Sequence, residues 1–141
     1  MSVGDLPRIH LYRRIVQAKL FIDRFFAESI DVDDIADEAC YSKFHFIRTF
    51  NDIYGRTPHQ YLIHVRLENA KRLLSEGRSV TYACMAVGFD SVGSFTTLFK
   101  RRTGITPSEF RRLRLARKQH MLDRPLSFIP GCMIEHAKVA E

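Results

Sequence analysis

Tryptophan is absent from this chain of 141 residues, and cysteine occurs only at Cys40, Cys84 and Cys132. An odd number of widely spaced cysteines makes neither a disulfide framework nor a metal set. Cys40 and Cys84 instead occupy places where a small core residue belongs. The chain also lacks a long apolar run and a signal-peptide pattern, which argues against a membrane span and predicts a cytoplasmic protein. No phosphate loop, carboxylate pair or nucleophile with a nearby base can be found, so no enzyme and no cofactor are expected. His59 and His64 are five residues apart and do not share a helix face, which argues against a metal pair.

Acidic residues are also in deficit. The chain has 22 Lys and Arg against 16 Asp and Glu, a net charge of +6. Residues 1–117 hold 19 of those bases and 13 of those acids, so the whole excess lies there. From Lys100 to Lys118 there are eight bases and one acid, Glu109. Such a stripe favours a polyanion, for which nucleic acid is the usual candidate.

What the chain does have is centred on Val80 to Phe110. Ser79 is placed to cap a helix by bonding the unpaired amides of its first turn, and Gly88 supplies the positive-φ residue that ends it. Ser91 caps the next helix, whose Phe95, Leu98 and Phe99 share one face. Gly104 ends that helix, and Thr106-Pro107 opens another. Two short helices about a glycine turn, followed by Lys100, Arg101 and Arg102, form the pattern of a helix-turn-helix DNA reader. The plan occurs twice. Ser42, Phe46, Phe50, Gly55, Pro58 and Tyr61 match Ser91, Phe95, Phe99, Gly104, Pro107 and Phe110 at constant offset.

The run ACMAVGFDSVGSFTTLFKRRTGITPSEFR resembles the C-terminal signature of the AraC/XylS family of bacterial transcription regulators. IADEACYSKFHFIRTFNDIYGRTPHQYL, followed by RLENAKRLL, is similar to the first half of the same domain. The resemblance spans residues 8–117. It implies an all-α fold of about seven helices, with two helix-turn-helix lobes joined by a long central helix as a homeodomain-like pair. It also implies two recognition helices that enter successive major-groove segments of double-stranded DNA.

Taken in order, the chain divides into a leader at 1–7, a first lobe at about 8–57, a linker helix at about 58–75, a second lobe at about 79–117 and an irregular tail at 118–141. In the first helix, to about Ala27, Ile9, Tyr12, Ile15, Val16, Leu20 and Phe21 trace an apolar stripe. Asp31 caps a short helix over 32–40, and Asp31 to Glu38 contains five acids, read either as capping and surface or as a contact for RNA polymerase. The linker, from Pro58 to about Ser75, is ~27 Å long at ~1.5 Å per residue, near the ~34 Å of one DNA turn. Its Arg66, Lys71 and Arg72 are most simply solvated.

The first recognition helix, 42–54, directs Phe46, Phe50 and Ile53 to the core and Phe44, Ile47, Arg48 and Asn51 outward. Arginine pairs with guanine and asparagine with adenine, while Phe44 and Ile47 could press on thymine methyls or pack on a neighbouring helix. The resemblance places Phe44, Ile47 and Arg48 at base-facing positions. Ser42, Lys43 and His45 are candidate phosphate contacts. The second recognition helix, 91–103, presents Val92, Gly93, Ser94, Thr96 and Thr97, so its base readout is expected to be light. Ser91, Lys100 and Arg101 would hold phosphates there. In the last helix, Phe110 and Leu113 are expected inward, with Arg111, Arg112, Arg114 and Arg117 outward.

These residues predict a sequence-specific transcription regulator, an activator bound as a monomer to an asymmetric site. It would be either a stand-alone protein or the DNA-binding half of a longer one. The alternative is a weakly specific architectural DNA binder, favoured by the thin second recognition helix.

Overall fold

The computed structural model describes residues 6–31 and 42–131 and is helical, with no strand among them. Among the described residues six α-helices follow one another: α1 Leu6–Phe25, α2 Lys43–Tyr54, α3 Pro58–Ser75, α4 Val80–Ala86, α5 Val92–Thr103 and α6 Pro107–Asp123. A 3-10 turn, Pro125–Phe128, comes last. The short helix expected over 32–40, with Cys40 and most of the acidic run, lies outside the described residues. Among them, no helix is long and apolar enough to cross a membrane.

The helix ends follow from local chemistry. Ser42, Thr57, Ser79, Ser91 and Thr106 each accept a hydrogen bond from an amide in the first turn of the helix they precede. Thr57 with Gln60, and Thr106 with Glu109, close reciprocal capping boxes. The end of α4 is a Schellman turn. The Phe89 amide donates to the Cys84 carbonyl and the Gly88 amide to that of Met85, each at 3.1 Å, with Gly88 at φ 93°.

Two cores lie along the linker α3. Leu11, Ile15, Ala18, Ile22, Phe46, Phe50 and Leu62 form the first. The second is built from α4, α5 and α6 against Leu67, Ala70 and Leu74. The sequence repeat is visible inside them. Phe50 meets Tyr61 edge-on at 5.9 Å in the first core, and Phe99 meets Phe110 edge-on at 5.5 Å in the second. Such aromatic pairs stabilise beyond their buried area.

Several expectations change. α1 buries Leu11, Ile15, Ala18 and Ile22, whereas Ile9, Tyr12, Val16, Leu20 and Phe21 are 38 to 56% exposed. This helix is apolar on two sides, and periodicity alone does not say which side meets the core. α1 also begins inside the expected leader, and α6 continues to Asp123, six residues into the expected irregular tail. Nothing between Arg117 and Asp123 breaks a helix, and Pro125 follows its end. Ile53 and Leu113 are exposed rather than inward.

Arg66 and Arg111 are structural. Arg66 Nε donates to the Phe26 carbonyl at 2.7 Å and Nη2 to that of Glu28 at 2.9 Å, while its guanidinium lies 5.7 Å from the Phe89 ring centre. One linker side chain thus ties the segment after α1 to the turn of the second helix-turn-helix. Arg111 donates from Nε and Nη2 to the Gly77 carbonyl, securing the α3–α4 turn against α6.

Candidate nucleic-acid interface

The exposed face of α2 is set by its buried one. Phe46 and Phe50 are fully buried, which turns positions 44, 48 and 51 away from the core at steps of four and three. Phe44 is 78% exposed, and Arg48 and Asn51 are exposed beside it. Ile47 differs from expectation: it is half-buried and packs on the first core. The choice left open in the sequence, methyl contact or packing, goes mainly to packing, because position 47 lies one step from buried Phe46.

At the start of α2, Ser42 Oγ accepts from the His45 amide at 3.2 Å. Its own proton stays available for donation outward, as an anion at a helix N-terminus requires. Lys43 is half-buried, and His45 is exposed.

On α5, Phe95 and Phe99 are fully buried, so Gly93, Ser94, Thr97, Lys100 and Arg101 lie exposed. Gly93, Ser94, Thr97 and Arg101 line one shallow concavity with Leu98. Val92 and Thr96 are half-buried, and Val92 packs on the second core, so it is not the outward residue that the sequence suggested. The Thr97 hydroxyl donates to the Gly93 carbonyl at 3.0 Å, which engages its proton within the helix. Ser91 Oγ accepts from the Ser94 amide at 3.3 Å and caps the helix as Ser42 caps α2. The two helices therefore share a plan but differ in reach: long side chains on α2, small ones on α5.

Cys84 is fully buried in the second core, and burial, followed by the nearby Asp90 carboxylate, pushes its thiol above the ordinary range. A neutral, enclosed thiol is a packing group. No group of three or more His, Cys, Asp or Glu among the described residues is placed to hold a metal. The most consequential residue missed in the sequence is Arg66. Burial lowers its pKa, and Asp90 acts in the opposite direction. In sequence it reads as a solvated linker residue because its partners Phe26, Glu28 and Phe89 lie far away in the chain.

A helix-turn-helix domain model matches residues 35–113, more than half of the chain. The chain belongs to the AraC/XylS family of transcription regulators. Within this family it is 39% identical over 85 residues to the "Probable transcription factor PqrA" of Proteus vulgaris, covering 60% of this chain and 70% of that one. It is 35% identical over 94 residues to the "Bifunctional transcriptional activator/DNA repair enzyme AdaA" of Bacillus subtilis, covering 66% and 44%. The DNA-binding domain of AdpA, a global transcriptional factor solved with a target DNA, superposes with a TM-score of 0.64 at 28% identity. That match covers 79% of this chain and 96% of the AdpA chain. Across three curated relatives, AdaA among them, this AraC/XylS chain spans 58, 44 and 32% of their lengths.

Proposed function

We propose that the chain is a sequence-specific reader of double-stranded DNA that regulates transcription as an activator, bound as a monomer to two adjacent major-groove segments. The observation that carries this reading is the pair of 12-residue helices α2 and α5. They are capped alike, related by a constant sequence offset, and set on separate cores along one 18-residue linker. One chain then holds two readers and needs no second copy to span a helical turn. Phe44, Arg48 and Asn51 read bases from α2, with Ile47 contributing only its exposed edge. Gly93, Ser94 and Thr97 make the lighter contacts from α5, with Val92 at their margin. Ser42, Lys43 and His45 in one lobe, and Ser91, Lys100 and Arg101 in the other, hold phosphates and set the register.

Activation also needs a surface for RNA polymerase. The acidic run from Asp31 to Glu38 is the candidate, of which Asp31 alone lies among the described residues.

Selection from random duplexes at near-physiological salt tests the reading. Two unequal boxes about one helical turn apart are expected, the stronger under α2. A single box would confine base reading to α2. Binding without enrichment would favour the architectural alternative, for which the small residues Gly93, Ser94 and Thr97 are the specific support.

Non-enzymatic action is part of the proposal, although AdaA carries a repair activity by name. The buried Cys84 offers no nucleophile. Peptide mapping after methylating-agent treatment should find Cys84 unmodified in the native protein and modified in urea; native modification would reopen the repair function.

A further inference from the structure

Between the two lobes lies a cleft of about 260 Å³ that the readers do not use. The linker forms its floor through Ile63, His64, Leu67, Glu68 and Lys71. Its walls come from the ends of the two readers: Arg56, directly after the Gly55 cap of α2, and Arg102 with Thr103 in the last turn of α5. Lys71 is paired with Glu68 at 2.5 Å. Arg56 and Arg102 are exposed, and no hydrogen bond or ion pair joins either guanidinium to another described residue. Two unpartnered guanidiniums from different lobes, facing one small cleft, leave positive charge without a counter-ion.

We propose that this cleft seats a phosphate-type oxyanion, supplied by the DNA backbone between the two segments that α2 and α5 read. The proposal rests on the DNA-reading function above and extends it to the stretch between the boxes. Guanidinium forks match phosphate oxygens in pairs, so Arg56 and Arg102 would hold one anion from both sides. Such a contact carries no base information. It fixes the position of one lobe relative to the other on the duplex, and so the box spacing that the protein accepts. The source is backbone phosphate rather than free phosphate because the cleft joins the ends of both readers. Successive major-groove segments on one face of a duplex are separated there by the phosphate walls of the minor groove.

The test compares the intact chain with the double variant R56Q/R102Q. K19Q/R72Q serves as a charge-matched control, since Lys19 is already paired with Asp23 and Arg72 with Glu76 on the surface. On the selected duplex the double variant should bind about ten- to hundred-fold more weakly. Its salt slope should fall by about one unit, and its loss should be the same on any box sequence. Ethylation of phosphates between the boxes should weaken the intact protein and leave the double variant indifferent. Equal effects in K19Q/R72Q would reduce the result to net charge and overturn the proposal. So would an unchanged slope in a double variant that still reads both boxes, which leaves the DNA-reading function standing.

If the intact chain binds no duplex, that function fails, and inorganic phosphate alone decides the cleft. Saturable shifts of the Arg56 and Arg102 side-chain NMR signals would support the oxyanion seat with free phosphate as its source. No shift would overturn it.

Discussion

At the residue scale, the proposed function makes opposite demands on the arginines of α2 and α5. Arg48 is exposed between Phe44 and Asn51 on the outward face of α2, and the proposed function assigns it a base edge. Arg101 shares its concavity with Gly93, Ser94 and Thr97, none of which can add a long hydrogen-bonding arm. Arg48→Ala should therefore cost about 1 to 3 kcal/mol on a cognate duplex and relax preference at one base position. Arg101→Ala should weaken cognate and random duplexes alike and lower the salt slope by about one unit. Titrations on both duplexes across a salt series separate the two. Equal losses on both duplexes for Arg48 would make it a phosphate contact, and a base-selective loss at Arg101 would reverse its assignment.

At the element scale, α1 has the least settled face in the sequence and the clearest one in the fold. Leu11, Ile15, Ala18 and Ile22 are buried, while Val16 is among the apolar residues left open on the other side. Ile15→Ala should cost about 2 to 5 kcal/mol in urea unfolding, and Val16→Ala should stay within about 0.5 kcal/mol. Equal costs would mean that something covers the second face in solution. Capping in α6 gives a pH signature. The Thr106 backbone amide, followed by its hydroxyl, holds Glu109 below the ordinary carboxylate range. A carboxylate with a depressed folded pKa stabilises above its unfolded pKa, and that stabilisation is lost as pH falls through the folded one. Glu109→Gln should thus lower the melting temperature at neutral pH, by an amount that shrinks in acid. A deficit constant from neutral pH to acid would remove the charged cap from the account.

The same elements show how much the sequence disclosed. Caps and glycine turns were legible because each depends on a few neighbouring residues, as at Ser79, Gly88 and Thr106. The linker divides its apolar residues between the two cores, with Leu62 and Val65 in or against the first and Leu67, Ala70, Leu73 and Leu74 in or against the second. The phase of α1, the inward turn of Ile47 and Val92, and the exposure of Ile53 and Leu113 were not legible. Those depend on where a second helix lies, and apolar periodicity cannot supply that.

At the scale of the whole molecule, the two lobes act together only if their separation is held. Arg66 holds part of it. Its two donors reach the Phe26 and Glu28 carbonyls beyond α1, and its face lies against Phe89 in the other lobe. Gly88 belongs to the same seam, since a Cβ there would lie 2.9 Å from the Ala27 carbonyl oxygen. Lysine at position 66 keeps the charge but lacks the planar fork that reaches two carbonyls at once. Arg66→Lys should therefore lose about 1 to 3 kcal/mol of stability, and charge alone should not restore it. On DNA the consequence is one of geometry. The variant should bind a duplex carrying the α2 box alone about as well as the parent does, yet lose preference for the native box spacing, because a loosened seam lets the lobes sit at several separations. Binding measured over duplexes with the spacing varied base pair by base pair checks this. An unchanged spacing profile, with stability reduced, would leave the relative placement of the lobes to the linker helix and to the contacts of Arg111 with Gly77.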